Sequence, residues 1–185
     1  MSEEKMPGGE VRQAVRTRLE EEKKDKRDRR RWVLGTVALL LLIFLLTRVF
    51  FGVAVVEGSS MSPNYMDSDL VLFTRLHGML ERGDVVLVRS DDSKVLIKRV
   101  VGLPGEEVYI DQRTGAVIID GEELKEEYTE AITRRSSIQE YPIILGEDEY
   151  FVLGDNRENS TDSRDFGPVS STQIKGEILV ILRKG

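Results

Sequence analysis

The chain has no cysteine and a single histidine, His77. The first absence excludes disulfides, thiolate nucleophiles and cysteine-ligated metals, and it leaves the redox compartment unread. The second excludes a zinc site built from three or four His/Cys ligands. It also removes the usual proton acceptor of a catalytic serine, so a serine nucleophile here needs another base. An all-carboxylate magnesium or calcium site stays open, because Asp and Glu together number 33. Beyond the first third of the chain there is no internal repeat and no low-complexity tract.

Charge is unevenly spread. Residues 1–31 hold eleven basic and eight acidic side chains, a net of +3, whereas residues 49–185 hold 15 basic and 25 acidic, a net of −10. An acidic main domain repels a phosphate backbone, which argues against a nucleic-acid partner. The 185 residues suffice for one medium domain plus an appendage.

The appendage is apolar. Trp32 to Thr47 carries no charge over 16 residues, and after Arg48 the apolar run resumes from Val49. A helix needs about 20 residues to cross a hydrocarbon core, a span that Trp32 to Phe51 supplies. Arg48 falls near one end, where its stem can snorkel to the headgroups. Seven of the nine residues from Lys23 to Arg31 are basic, so the positive-inside tendency puts this flank in the cytoplasm. A cleaved signal peptide would have a shorter apolar region followed by small residues, and here branched residues follow. A buried core helix would need a polar face, which this run lacks. We therefore expect a cytoplasmic tail over 1–31, a single transmembrane anchor over 32–52 and an extracytoplasmic domain over 53–185. The polar stretch Glu10 to Glu22 reads equally as a solvated helix or as disorder.

Residues 53–185 have a β pattern. Segments 69–73, 85–88, 95–101, 108–110, 116–119, 150–153 and 177–182 are short, rich in branched residues and bounded by Gly, Asp or Ser. Leu103-Pro104-Gly105-Glu106 fits a type II turn, and Asp120-Gly121 a tight hairpin turn. Ser171 to Ile174 reads as a helical turn. The fold class expected is mainly β: an antiparallel sheet domain carrying the chemistry, with one N-terminal transmembrane helix.

Three elements bear chemistry. Ser60 lies in the loop Gly58-Ser59-Ser60-Met61-Ser62-Pro63; taken alone, such a serine is usually a turn or cap residue. Lys98 lies in an apolar strand on the face of Leu96 and Val100. Burial there would ease loss of its proton and make it a candidate general base, whereas an edge lysine would simply point at water. Arg99, on the other face, never deprotonates and suits a structural ion pair. The third element is the polar loop Gly154 to Arg164, with Ser160, Asp162 and Arg164. Its oxygens could suit calcium, but Arg157 and Arg164 disfavour a divalent site.

Together, in this order, the elements resemble the type I signal peptidases, the Ser-Lys membrane endopeptidases, in their small Gram-positive-like form. Ser60-Met61-Ser62-Pro63 matches the family's S-M-x-P box and Arg82-Gly83-Asp84 its R-G-D box. Lys98-Arg99-Val100-Val101-Gly102-Leu103-Pro104-Gly105 matches K-R-x-x-G-L-P-G. Gly154 to Arg164 matches G-D-N-R-x-N-S-x-D-S-R.

The resemblance implies that Ser60 is the nucleophile and Lys98 its base. It further implies that Ser160 hydrogen-bonds and orients the lysine, and that Asp162 and Arg164 form a supporting ion pair. Val55, Val56 and Leu96 are expected beside the dyad. Gly58 stands where some members carry an oxyanion-binding serine, leaving the Ser60 amide as the expected donor and the second donor unassigned. The accessory β domain of larger members should shrink to a hairpin around 108–124.

The activity implied is removal of signal peptides after Ala-x-Ala sites of exported preproteins at a lipid bilayer, with no metal or cofactor. Oligomeric state leaves no mark on the sequence. A self-cleaving repressor-type hydrolase would have a DNA-binding domain where this chain has its apolar run. The alternative from another class is a catalytically silent membrane-anchored β module that binds peptides.

Overall fold

The computed structural model describes residues 8–76, 78–90 and 93–183, so His77 lies outside the described residues. Two units divide the chain, residues 1–48 and 49–185.

The first unit is helical. Helix α1, Gly8–Phe50, runs for 43 residues and takes in both the charged stretch and the apolar run. Of the two readings of residues 10–22, the helix is therefore the one observed. Every described side chain from Arg12 to Val49 is exposed, and from Arg16 onward the helix is long and apolar enough to cross a membrane. Thr36 and Thr47 turn their hydroxyls back onto the carbonyls of Trp32 and Phe44, which removes two polar groups from the apolar surface. The Arg48 guanidinium lies 5.4 Å from the Phe44 ring centre, so its stem runs along the helix.

The helix stops two residues short of the expected anchor boundary at residue 52. Phe51 opens strand β1, Phe51–Val55, because Gly52 is a poor helix former and the β-branched residues after it favour a strand. Gly52 also packs directly on the Phe73 ring, in space that a Cβ would overlap.

The second unit is built from antiparallel strands, as expected. In chain order these are β1, β2 (Leu70–Thr74), β3 (Val85–Arg89), β4 (Val95–Gly102), β5 (Glu107–Ile110), β6 (Val117–Ile119), β7 (Glu122–Glu123), β8 (Ile143–Ile144), β9 (Glu149–Leu153), β10 (Val169–Ser170) and β11 (Ile174–Leu182). A four-residue helix α2, Ser163–Phe166, precedes β10, and a 3-10 turn at Ser171–Gln173 leads into β11. One sheet has the order β1-β2-β11-β3-β4-β9-β10; the other has the order β7-β6-β5-β8. The accessory part thus exceeds the expected hairpin. β8 returns from 33 positions beyond β5 to pair Ile143 with Val108 and Ile144 with Glu107.

Period-two alternation divides the larger sheet into two cores. Val86 and Val88 of β3 join Val100, Val152 and Ile174 on one face, whereas Val85 and Leu87 join Ile97, Val71 and Met61 on the other. A third cluster, around Val108, Ile110, Phe151 and Leu153, joins the two sheets. Leu103 to Glu106 turns between β4 and β5 with Gly105 at φ +83, the value that a type II turn requires. The consequence for the site is that β4 and β9 are neighbours. Whatever follows Leu153 therefore emerges beside Lys98 and Arg99.

Candidate active site

Ser60 sits in the turn after β1. Val56, just past the strand, and Met61, just past the serine, are both buried in the core below, so the turn is pinned on either side of Ser60. Gly58 adopts φ +86, and its amide donates to Asp67 Oδ1 at 2.7 Å. The loop after β9 grips the same turn. The Asn156 amide donates to the Ser60 carbonyl at 3.0 Å, its side-chain nitrogen reaches the Ser59 carbonyl at 3.1 Å, and Asn159 Nδ2 donates to Ser59 Oγ at 2.7 Å. Sequence reading gave Asn156 and Asn159 no role. Their only signal was membership of the polar loop.

Lys98, from the middle of β4, brings Nζ to 2.9 Å from Ser60 Oγ and donates to the Ile97 carbonyl at 2.9 Å. It is 2 % exposed. Its pKa falls from 10.5 to about 8, chiefly through burial; the Asp162 carboxylate opposes the fall, Arg164 adds to it, and Asp155 opposes it in turn. An amine that releases its proton near neutrality, in contact with a hydroxyl, can accept that hydroxyl's proton.

Asp162 and Arg164 form a two-bonded ion pair, at 2.8 Å for each contact. Asp162 is fully buried and also accepts from the Gly154 amide at 3.0 Å, tying the end of β9 to the start of α2. Ser160 does not reach the lysine: its hydroxyl is buried and has no hydrogen-bond partner. Ser160 does line a cavity shared with Ser60 and Lys98. Arg99 takes the structural role expected of it. Its guanidinium holds Asp155 through two contacts at 2.8 and 2.6 Å, and Asn64, four residues past Ser60, donates to the same carboxylate at 2.8 Å.

A second cavity, of about 300 Å³, also opens on Ser60 and Lys98. Val55, Val56 and Leu96 all line it with Ser60 and Lys98, and Val71 and Leu87 help form its apolar walls. Such a cavity takes small apolar groups next to a serine held against an amine. Among the described residues no cluster of His, Asp or Glu could hold a metal ion.

The chain matches the family model described as signal peptidase, peptidase S26, over residues 29–182. It is 34 % identical over 169 residues to signal peptidase I V of Bacillus subtilis (strain 168), covering 81 % of this chain and 96 % of that protein. It is 31 % identical over 157 residues to signal peptidase I P of Bacillus subtilis subsp. natto, covering 79 % and 84 %. The crystal structure of a signal peptidase I from Enterococcus faecalis V583 aligns over 56 % of this chain and 98 % of its own, at 30 % identity and a TM-score of 0.45. The family-model match over residues 29–182, with 34 % identity to a relative covered over 96 % of its length, makes this chain a member of the signal peptidase family of serine peptidases, S26.

Proposed function

We propose that this chain is a membrane-anchored endopeptidase that removes signal peptides from exported preproteins, with Ser60 as nucleophile and Lys98 as general base. The apolar part of α1 spans the bilayer from about Trp32, the basic flank Lys23 to Arg31 stays in the cytoplasm, and the domain from Phe51 onward works on the far side. Residues 1–31 are then the cytoplasmic tail. The observation that carries the reading is the 2.9 Å approach of Lys98 Nζ to Ser60 Oγ at the mouth of an apolar cavity.

The cleavage region of the preprotein binds in extended form, along a strand edge. The cavity walled by Val55, Val56 and Leu96 takes the small side chains that precede the scissile bond, as an Ala-x-Ala site supplies. Neutral Lys98 accepts the Ser60 hydroxyl proton as Oγ attacks the scissile carbonyl carbon. The Ser60 amide donates to the oxyanion. Lys98 then passes the proton to the departing nitrogen, the C–N bond breaks, and the ester left on Ser60 is hydrolysed by water. Gly58 has no side chain to offer the oxyanion, and the Ser59 hydroxyl is held by Asn159. The reaction as written requires neither metal nor nucleotide. The Asp162–Arg164 pair acts at one remove, by fixing the backbone that follows β9 against the dyad.

The test is cleavage of a preprotein with an Ala-x-Ala site by detergent-solubilised protein supplied with lipid. Wild type should cut after the second alanine, and folded Ser60→Ala and Lys98→Ala should not. Lys98→Arg should also be inactive, since a guanidinium cannot serve as base. A folded wild type that cuts nothing would favour the silent peptide-binding module.

A further inference from the structure

Two cavities meet at Ser160. One, already described as shared by Ser60 and Lys98, is edged by Glu57, Glu158 and Asp165. The other, of about 460 Å³, shares Glu158, Ser160 and Asp165 with it and then extends away from the dyad, lined by Arg134, Arg135, Arg157 and Arg164.

The four guanidinium groups are not equivalent. Arg157 is matched by Glu126 at 2.5 Å and Arg164 by Asp162 at 2.8 Å. Among the described residues no carboxylate pairs with Arg134 or Arg135. Arg134 is exposed. Arg135 is half-buried, stacked between the rings of Tyr109 and Tyr141 at 4.3 and 4.8 Å, with Nε donating to the Ile110 carbonyl. Its Nη2 is buried without any partner, as are the hydroxyls of Tyr141 and Ser160. A desolvated guanidinium nitrogen without an acceptor is costly, and the group that best relieves it is an oxyanion. The donors are fixed in advance by the ring stack, so little side-chain order is lost on binding.

We propose that the cavity lined by Arg134 and Arg135 binds a carboxylate of the substrate's leaving segment, the chain that follows the scissile bond. The inference rests on the peptidase reading for its occupant, because the apolar cavity takes the residues before the bond and leaves this side to those after it. The carboxylates lining the cavity shared with Ser60 and Lys98 add a positional rule. Glu57 and Glu158, which pair with no cation among the described residues, repel an acidic residue next to the scissile bond. Arg134 and Arg135 attract one placed a few residues further on.

The test uses the full chain in detergent and one set of peptides that share an Ala-x-Ala site and a neutral leaving segment. In each, a single Glu or Gln is moved through the first six positions after the cut. The expected result is that Glu beats Gln by about three- to tenfold in kcat/KM at one distal position and loses to it at the first. The distal gain should vanish in Arg134→Gln and shrink in 0.5 M salt. Arg134 is the primary variant because Arg135→Gln, which breaks the ring stack, can fail by unfolding. Arg135→Lys keeps the charge, and should keep part of the gain. Binding of the same peptides to Ser60→Ala, read by fluorescence anisotropy, gives a measure that needs no catalysis. Cleavage of the neutral peptide with no Glu advantage at any position would overturn this inference alone. Failure to cut any peptide would overturn the peptidase reading, and the anisotropy series would still decide for or against the carboxylate site.

Discussion

Asn156 holds Ser60 by the backbone: its amide donates to the Ser60 carbonyl at 3.0 Å while its side chain donates to the Ser59 carbonyl at 3.1 Å. The turn that bears Ser60 is thereby fastened to the segment leaving β9, which is a neighbour of the strand bearing Lys98. Asn159 adds a third bond, to Ser59 Oγ. These contacts set the distance between hydroxyl and amine, and reaction rates are sensitive to such positioning. Asn159→Ala should therefore lower kcat about five- to tenfold, the worth of one hydrogen bond of about 1 kcal/mol, with KM little changed. Steady-state kinetics on a single peptide checks this, and an effect confined to KM would place Asn159 in substrate binding instead.

Gly154 leaves no space for a side chain. A methyl group there would lie 2.5 Å from the Ser60 carbonyl oxygen and would overlap Ser160 Oγ. Gly154→Ala should push the nucleophile turn away from Lys98, cutting kcat/KM at least tenfold and destabilising the fold by about 1–3 kcal/mol. Thermal unfolding beside activity separates the two effects. Full activity in Gly154→Ala would show that the turn can shift without cost.

Activity should rise with pH through the pKa of Lys98, about 8, because only the neutral amine accepts a proton. The limb in kcat/KM should thus lie well below the ordinary lysine value of 10.5. A pH profile from 6 to 10 checks it, and a rate independent of pH over that range would remove Lys98 as the titrating base.

The same burial has a cost in stability. Folding lowers the lysine pKa from 10.5 to about 8, so between these values the unfolded chain binds more protons and stability rises with pH. Below about pH 8 the folded protein forgoes about 3 kcal/mol relative to a site that leaves the lysine pKa at 10.5. Lys98→Met should be inactive yet melt higher than wild type at pH 6.5, with the difference narrowing towards pH 10. Equal melting temperatures at both pH values would contradict the burial cost.

The Arg99–Asp155 pair is desolvated, with the Asp155 side chain fully buried. Removing one partner strands the other, so Asp155→Ala should destabilise the protein by about 3–5 kcal/mol. Denaturant unfolding measures this. A loss under 1 kcal/mol would mean that solvent reaches Arg99 once the carboxylate is gone.

Much of this molecule was legible in its sequence, for local reasons. The uncharged run from Trp32 became part of a helix, because its residues and its length suit one. The alternating branched residues around 85–88, 95–101 and 150–153 became strands, because period two is imposed by the backbone itself. The turns at Leu103–Glu106 and Asp120–Gly121 followed from Pro and Gly. The motifs singled out Ser60 and Lys98, which the structure brings to 2.9 Å of each other. What the sequence left undecided depends on partners far away along the chain. Phe51–Val55 reads as the tail of an apolar run and becomes a strand only by pairing with β2. Ile143–Ile144 is too short to signal a strand until β5 accepts it. Tertiary packing alone brings Lys98 to Ser60 across 38 positions, lowers its pKa and ties Asn159 to Ser59 across 100. Propensity acts over a few neighbouring residues, whereas burial and hydrogen-bond geometry are properties of the assembled sheet.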